Sequence, residues 1–172
     1  MKTTSLRCIY LLFVLIIPTV IISCHASRED PLFVGTWQYN ASITTDDLVF
    51  FTIRTLKLTK NTYEETYLIR RESSGTISGI IGTRGDLIPA HRDLTFQLNA
   101  LGTCVRDELD ACTDNIAWHP EGSPYWIDNI QFFKPDVGGE FEADQATLWL
   151  KRDLNMDGDF EDPGEDVMFE RI

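Results

Sequence analysis

Oxygen-bearing side chains occupy alternate positions 153, 155, 157 and 159 of one acidic segment, residues 153–166, with a glycine at position 158 where the chain must turn. Calcium takes six to eight hard oxygen ligands, and alternating acids around a glycine turn can supply several of them to one ion. The segment therefore predicts a calcium site with a structural role. The candidate ligands are Asp153, Asn155, Asp157 and Asp159, with Glu161, Asp162 or Glu165 completing the shell.

The spacing of this segment resembles the D-x-N-x-D-G opening of an EF-hand calcium loop. It departs from that loop because position twelve is Gly164, with Glu165 one place later, and because the flanking residues 148–152 and 167–171 have strand-like patterns. The alternative is a long hairpin turn without an ion, since Asp, Asn and Gly are favoured in turns. Mutual repulsion among the acidic side chains of this segment favours a bound cation over the ion-free turn.

Candidate catalytic groups are few. His91-Arg92-Asp93 imitates the catalytic loop of protein kinases, but a glycine-rich loop is missing. His119, beside Trp118, could act as a base or a ligand, but the pattern favours a solvent-exposed loop histidine. The sequence has no G-x-S-x-G or H-E-x-x-H motif. We therefore predict a protein that is not an enzyme, with a small hydrolase using acids or His119 as an alternative.

The first 23 residues have the build of a secretory signal peptide. Lys2 and Arg7 precede about fifteen mostly apolar residues, and Ser23 follows them. This run is too short for a membrane-spanning helix, which needs about 20 apolar residues, and Pro18 would kink it. The sequence therefore predicts an exported protein from which residues 1–23 are removed.

Residues 21–24, Ile-Ile-Ser-Cys, resemble the lipobox of bacterial lipoprotein signal peptides. The resemblance implies that Cys24 becomes the first mature residue and carries lipid, which anchors the protein to a membrane of the bacterial cell envelope. Residues 24–31 would then form a polar linker and residues 32–172 the folded domain. The alternative is cleavage after Ala26 and secretion as a soluble protein.

Two cysteines remain in the body of the chain, Cys104 and Cys112. In the oxidising compartments that exported proteins reach, an even pair with so short a spacing indicates a local disulfide. A redox or zinc role is the weaker alternative, because the sequence lacks a C-x-x-C spacing and a second cysteine pair. The predicted disulfide would stabilise the fold by roughly 2–3 kcal/mol.

The composition limits the classes of partner. Of 172 residues, 15 are Lys or Arg and 27 are Asp or Glu, so the formal net charge is −12. A nucleic-acid binder needs a basic stripe to neutralise phosphates, and this charge balance argues against one. The length allows one domain, because a domain takes roughly 100–200 residues. A membrane is expected to be a partner only through the lipid anchor.

Period-two alternation predicts an all-β body. Residues 94–99 place their apolar side chains on one side, as a strand with one buried face requires, and residues 146–151 alternate similarly. In residues 50–59 the apolar series changes parity, which predicts a β-bulge near residues 54 and 55. Residues 102–124 alternate little and are predicted to form an extended loop. The other predicted strands span residues 33–41, 62–71, 76–84, 125–133 and 166–171.

The predicted strands number about eight, at spacings typical of an all-β barrel or sandwich. Gly35-Thr36-Trp37, on the first of them, resembles the G-x-W signature of lipocalins and of bacterial lipocalin-like lipoproteins. The resemblance implies a single antiparallel barrel of eight strands, with Gly35 and Trp37 at its closed base. In the alternative, Trp37 is a core aromatic residue of another β-fold.

An aromatic cluster lies around the end of the predicted loop. The cluster consists of Trp118, Tyr125, Trp126, Phe132 and Phe133. Its first three members are the candidates for contact with a ligand at a barrel mouth, and core packing is the alternative. We expect a lipid-anchored, lipocalin-like protein that binds a small apolar molecule or serves as an envelope component. The alternative is a calcium-stabilised β-sandwich that contacts a protein or glycan partner. The sequence does not predict the oligomeric state.

Overall fold

A computed structural model of the chain describes residues 30–45, 48–155, 157, 159–162 and 164–172. The predicted signal peptide, residues 1–23, and the predicted lipidation site, Cys24, lie outside the described residues. Within the described ranges, strands dominate and no helix is long and apolar enough to cross a membrane. The elements are β1 (Gly35–Thr45), β2 (Leu48–Leu58), β3 (Thr62–Arg71), β4 (Ile77–Ala90), β5 (Asp93–Arg106), β6 (Cys112–Pro120), α1 (Pro124–Asn129), a 3-10 turn (Ile130–Phe132), β7 (Asp136–Ala143), β8 (Thr147–Arg152) and β9 (Asp166–Arg171).

Eight of these strands close into one antiparallel barrel. Hydrogen-bonded neighbours follow the order β1-β2-β3-β4-β5-β7-β8-β9, and β9 pairs back onto β1. At this closure Trp37 pairs with Arg171 and Gln38 with Glu170. The predicted all-β, lipocalin-like, eight-stranded barrel is confirmed. The sandwich alternative is wrong, because a sandwich keeps two separate sheets face to face whereas this sheet closes on itself.

The ninth strand, β6, lies outside the ring. One edge of β5 pairs with β4, and its other edge is shared, since residues 93–97 pair with β7 and residues 100–106 pair with β6. The β5–β6 hairpin therefore leaves the barrel wall, and the chain returns to β7 through α1 and the 3-10 turn. The predicted loop over residues 102–124 is wrong, because most of that segment belongs to this hairpin.

The predicted strand over residues 125–133 is also wrong, because the segment is helical. Ser123 is the N-cap of α1, and its Oγ accepts the backbone N–H of Trp126 at 3.3 Å. Pro124 occupies the first turn, where a missing N–H costs nothing and the fixed φ angle suits a helix. These two local signals outweigh the β-forming aromatic residues that follow.

The predicted bulge in β2 is a third correction. β2 runs in unbroken register against both β1 and β3. Its interior face carries Arg54, Leu56 and Leu58, all buried, whereas Phe51 is 43% exposed on the outer face. The change in parity therefore arises because a buried arginine stands where an apolar residue is expected, and an exposed phenylalanine stands on the other face.

The barrel has a packed apolar base. Trp37, Leu148 and Phe169 are fully buried there, and Phe33 covers them from the segment before β1. The same end receives the end of β4 and the start of β5, which bring Leu87 and Leu94 into the cluster. Antiparallel alternation places the β8–β9 loop at the opposite end, the mouth of the barrel.

Candidate functional site

A cavity of about 240 Å³ lies inside the barrel on the mouth side of the apolar base. Phe96, Leu98 and Val137 give it an apolar wall, and Tyr63 and Tyr67 line the side formed by β3. Ligand pockets commonly occupy about 300–1,000 Å³, so this one suits a small molecule.

A buried ionic network forms the floor of the cavity. Glu65 accepts a hydrogen bond from Arg54 Nε at 2.6 Å, and Arg152 donates to it through Nη1 at 3.0 Å and Nη2 at 2.8 Å. All three side chains are nearly inaccessible to solvent. Removing any one of the three side chains would destabilise the fold, because it would leave an unpaired charge in the poorly solvated interior.

The two arginines are held from different elements. Arg54 also donates from Nη1 to the carbonyl oxygen of Gly164 at 2.9 Å and lies over the ring of Phe169. Burial lowers the pKa of Arg54, but the charge of Glu65, that side chain's hydrogen bond and the nearby Tyr67 and Tyr39 together outweigh it and leave that pKa above the ordinary value. The guanidinium of Arg152 packs against the ring of Phe96. The floor is therefore fixed to β2, β3 and β8 and to the segment before β9.

The phenols of the cavity stay protonated. Burial, followed by the charge of Glu65, raises the pKa of both Tyr63 and Tyr67 above the usual range. Tyr67 hydrogen-bonds Glu65, and Tyr63 hydrogen-bonds Thr83. The cavity therefore presents two neutral hydroxyl groups beside the paired side chains of Arg152 and Glu65, a lining that suits a ligand with one polar end.

The rim of the cavity comes from the segment that returns to the barrel. Phe132, Phe133 and Lys134 line it, and Phe132 is 75% exposed. This segment is positioned by a second apolar cluster, in which Trp126 of α1 packs against Leu98 and other side chains of β5. Helix α1, in a segment predicted to be a strand, therefore holds in place the residues that form one side of the cavity opening.

The structure places Gly35 and Trp37 at the filled end of the barrel. Trp37 is completely buried, and its Nε1 donates to the carbonyl oxygen of Phe33 at 2.8 Å. The Arg171 guanidinium lies 4.1 Å from the Trp37 ring and donates to the carbonyl oxygens of Leu32 and Val34. A Cβ on Gly35 would come within 2.6 Å of Arg171 Nη1, so a larger residue there would displace the guanidinium from its place over Trp37.

The three aromatic residues predicted to contact a ligand are distributed over separate places. The ring of Trp118 lies on the backbone of Gly102, where a Cβ would approach it to 2.9 Å. Tyr125 stacks on His119 with 4.2 Å between ring centroids, and Trp126 is buried against β5. Ligand contact by these side chains stays a prediction.

Phe132 and Phe133 of the predicted aromatic cluster do line the cavity, together with aromatic residues that the sequence did not single out. The residues not singled out are Tyr63 and Phe96, which lie in strands that alternation predicts. Alternation alone indicates two faces of a strand, and barrel closure decides which face encloses a cavity. A local signal in the sequence is the change of parity at Arg54 in β2, which does not by itself identify the partners of that side chain.

The disulfide prediction is confirmed. Cys104 of β5 and Cys112 of β6 are bonded, with 5.6 Å between their Cα atoms. The bond lies in the β5–β6 hairpin, near a register shift between Cys104 and Arg106. It therefore fixes the outer end of a hairpin that the barrel ring does not hold.

The acidic segment forms the β8–β9 loop. Side-chain oxygens of Asn155, Asp157 and Asp159 each accept the backbone N–H two residues further on. Partial desolvation, followed by neighbouring carboxylates of which Glu165 is the first, raises the pKa of Asp162. Among the described residues, three His, Cys, Asp or Glu side chains do not converge closely enough to hold a metal ion. Calcium binding stays a prediction.

The histidines considered for catalysis lie in different settings. His91 occupies the tight turn between β4 and β5 with φ of 58°, in the left-handed region. His119 lies near the end of β6, and its Nε2 is buried without a hydrogen-bond partner among the described residues. Neither arrangement supplies the hydrogen-bonded nucleophile and base of an acyl-transfer site.

Comparison with known proteins gives no relative. The chain matches no known protein-family model, and no curated protein sequence matches it significantly.

Proposed function

We propose that the protein is exported and lipid-anchored to the bacterial cell envelope, where it binds one small molecule inside its barrel without catalysing a reaction. The observation that supports the proposal is the 240 Å³ cavity above the Arg54–Glu65–Arg152 floor. A barrel of eight strands has room either for side chains or for one small ligand. Here side chains fill the base and leave space towards the mouth.

The lining narrows the class of ligand. Sequence reasoning favours an apolar molecule, and Phe96, Leu98 and Val137 suit an apolar body. The charged and phenolic groups of the floor suit one polar end, which would accept hydrogen bonds or carry negative charge. We therefore propose a small amphipathic ligand, such as an aromatic or short aliphatic acid, rather than a long lipid chain.

The lipid anchor gives the barrel an orientation. The chain enters β1 at the closed base, where Arg171 holds the carbonyl groups of Leu32 and Val34. A lipid on Cys24 would therefore tether the protein through its base. The mouth would face away from the membrane and exchange ligand with the aqueous compartment.

The ligand proposal is tested by native mass spectrometry of the protein purified from its own membrane. We expect a bound molecule of low mass that is released on denaturation. Val137→Phe adds volume to the cavity wall and should abolish this species. Val105→Phe, at a position 40% exposed, is the matched control and should retain it. A wild-type protein with no adduct, or equal occupancy in both variants, would contradict the proposal.

The anchor is tested separately by mass spectrometry of the mature N-terminus. We expect Cys24 to be the first residue and to carry diacylglycerol on its sulfur. A mature chain that begins at Ser27 without lipid would overturn the anchoring and leave the ligand proposal standing.

A further inference from the structure

A buried carboxylate in the segment before β9 has no role in the proposed ligand site. Glu165 is 1% exposed, and its Oε1 accepts the backbone N–H groups of Leu154 at 2.6 Å and Asn155 at 3.3 Å. Its Oε2 is also buried, and it has no hydrogen-bond partner among the described residues. A carboxylate oxygen in such a place requires a donor or a cation, because burying it alone is costly.

Two further carboxylates are held together beside this glutamate. The Asn155 Nδ2 group donates to Asp157 Oδ2 at 2.9 Å and to Asp162 Oδ2 at 2.6 Å. One amide group thus bridges two carboxylates whose charges repel. A divalent cation between them would neutralise that repulsion far better than the partial charge of an amide.

We propose that the β8–β9 loop binds one Ca²⁺, with Glu165 as the buried ligand and Asn155, Asp157 and Asp162 supplying further oxygens. Glu165 would serve in place of the glutamate that an EF-hand has at position twelve, here occupied by Gly164. The loop must contract for this, because its acidic side chains are not yet convergent. The Asn155 amide would turn its oxygen to the ion, and the two carboxylates it bridges would close onto the metal.

The chemistry of the loop favours calcium over magnesium. Calcium accepts six to eight oxygens in irregular geometry, whereas magnesium demands a near-ideal octahedron and keeps several waters. A single loop that supplies carboxylate and amide oxygens at uneven spacing suits the first ion. A hairpin turn without an ion explains Asp and Asn at exposed positions and the contacts of Glu165 Oε1 with the loop backbone, but it leaves Glu165 Oε2 buried without a partner among the described residues.

The proposed ion would also stabilise the cavity floor. The backbone N–H of Arg152 donates to the carbonyl oxygen of Glu165 at 2.8 Å, and Arg54 donates to the carbonyl of Gly164. Leu154, whose N–H is bound by Glu165, lines the cavity. Calcium should therefore raise the thermal stability of the whole barrel rather than order an isolated loop.

The test is a calcium titration of the purified mature protein, followed by calorimetry and by thermal unfolding. We expect binding with a dissociation constant on the order of 10⁻⁴–10⁻³ M, as in extracellular modules. Saturation should raise Tm by about 2–4 °C, the response of a domain of about 150 residues to modest stabilisation. Glu165→Gln and Asp157→Asn should each weaken binding at least about tenfold, since even a group that only orients a metal ligand is worth about 10–100-fold in affinity.

The controls make the outcomes distinct. Asp114→Asn removes an exposed acid on β6 and should bind calcium as the wild type does. Asp157 is exposed, so its variant keeps the test valid if Glu165→Gln fails to fold. Absence of binding up to about 10 mM, wild-type affinity in Glu165→Gln or in Asp157→Asn, or an equal effect of Mg²⁺ would overturn the proposal. The titration needs no barrel ligand, so its failure leaves the proposed function untouched.

Discussion

Replacing Glu65 with glutamine tests whether ionic pairing holds the floor of the barrel. Glu65 is 3% exposed and receives three hydrogen bonds from Arg54 and Arg152. Glutamine keeps the shape and one acceptor oxygen, but its NH₂ group would face a guanidinium donor. The variant would also leave two buried positive charges without the carboxylate that lies between them.

The expected loss follows from this geometry. Removing one partner of a buried ion pair typically costs about 3–5 kcal/mol, and here one carboxylate serves two arginines. We therefore expect Glu65→Gln to lower the free energy of unfolding by about 4–5 kcal/mol. The adjacent Glu64 provides the comparison, because its pair with Lys57 at 2.9 Å is exposed. Glu64→Gln should cost about 0–1 kcal/mol.

Urea unfolding measures both variants in one assay. With m values of about 1–3 kcal/mol/M, Glu65→Gln should lower the midpoint by more than about 1 M, and Glu64→Gln should shift it little. A combined replacement of Arg54, Glu65 and Arg152 by Met, Leu and Met should recover much of the loss, because no charge is then left unpaired. Equal midpoints for the two single variants would refute the reasoning.

Three further outcomes follow from other contacts. Replacing Cys104 and Cys112 with alanine should lower the free energy of unfolding by roughly 2–3 kcal/mol. A reducing agent should lower the Tm of the wild type but not of that variant. Arg171→Met removes the guanidinium over Trp37 and its hydrogen bonds to two carbonyl groups. It should lower the free energy of unfolding by about 1–3 kcal/mol and alter tryptophan fluorescence. An unchanged unfolding free energy and an unchanged fluorescence spectrum would contradict this contact. Two backbone N–H groups of the β7–β8 turn lower the pKa of Asp144. The stabilisation that Asp144 contributes is therefore complete above its unfolded pKa of about 3.9 and is lost as pH falls through its folded pKa. The stability difference from Asp144→Asn should therefore shrink in acid, and a difference independent of pH would contradict this.

Local patterns predicted much of the barrel. The segments at residues 62–71 and 166–171 form strands with the predicted bounds, because alternation and short turns mark their ends. β6 was missed because it lies outside the ring and buries little, so its sequence has no apolar face to alternate. β7 was missed because Gly138 and Gly139 interrupt its apolar series.

The cavity floor was beyond sequence reasoning for a geometric reason. Arg54 and Glu65 are 11 residues apart, and Glu65 and Arg152 are 87 apart. Charged residues in strands are ordinarily expected on the solvent face, and only ring closure brings these three to one interior point. The disulfide and the Gly35–Trp37 base could be predicted from the sequence, because the first depends on residues close in sequence and the second on a recognisable signature.

The pairing of β1 with β9 has a consequence for biosynthesis. These strands come from opposite ends of the described chain, and Gln38 meets Glu170 only after everything between them exists. Until then a nascent polypeptide presents two unpaired strand edges, which readily recruit other chains. Such long-range pairing is also slow to form. A version lacking β9 should therefore aggregate edge to edge during synthesis rather than accumulate as a weakened monomer.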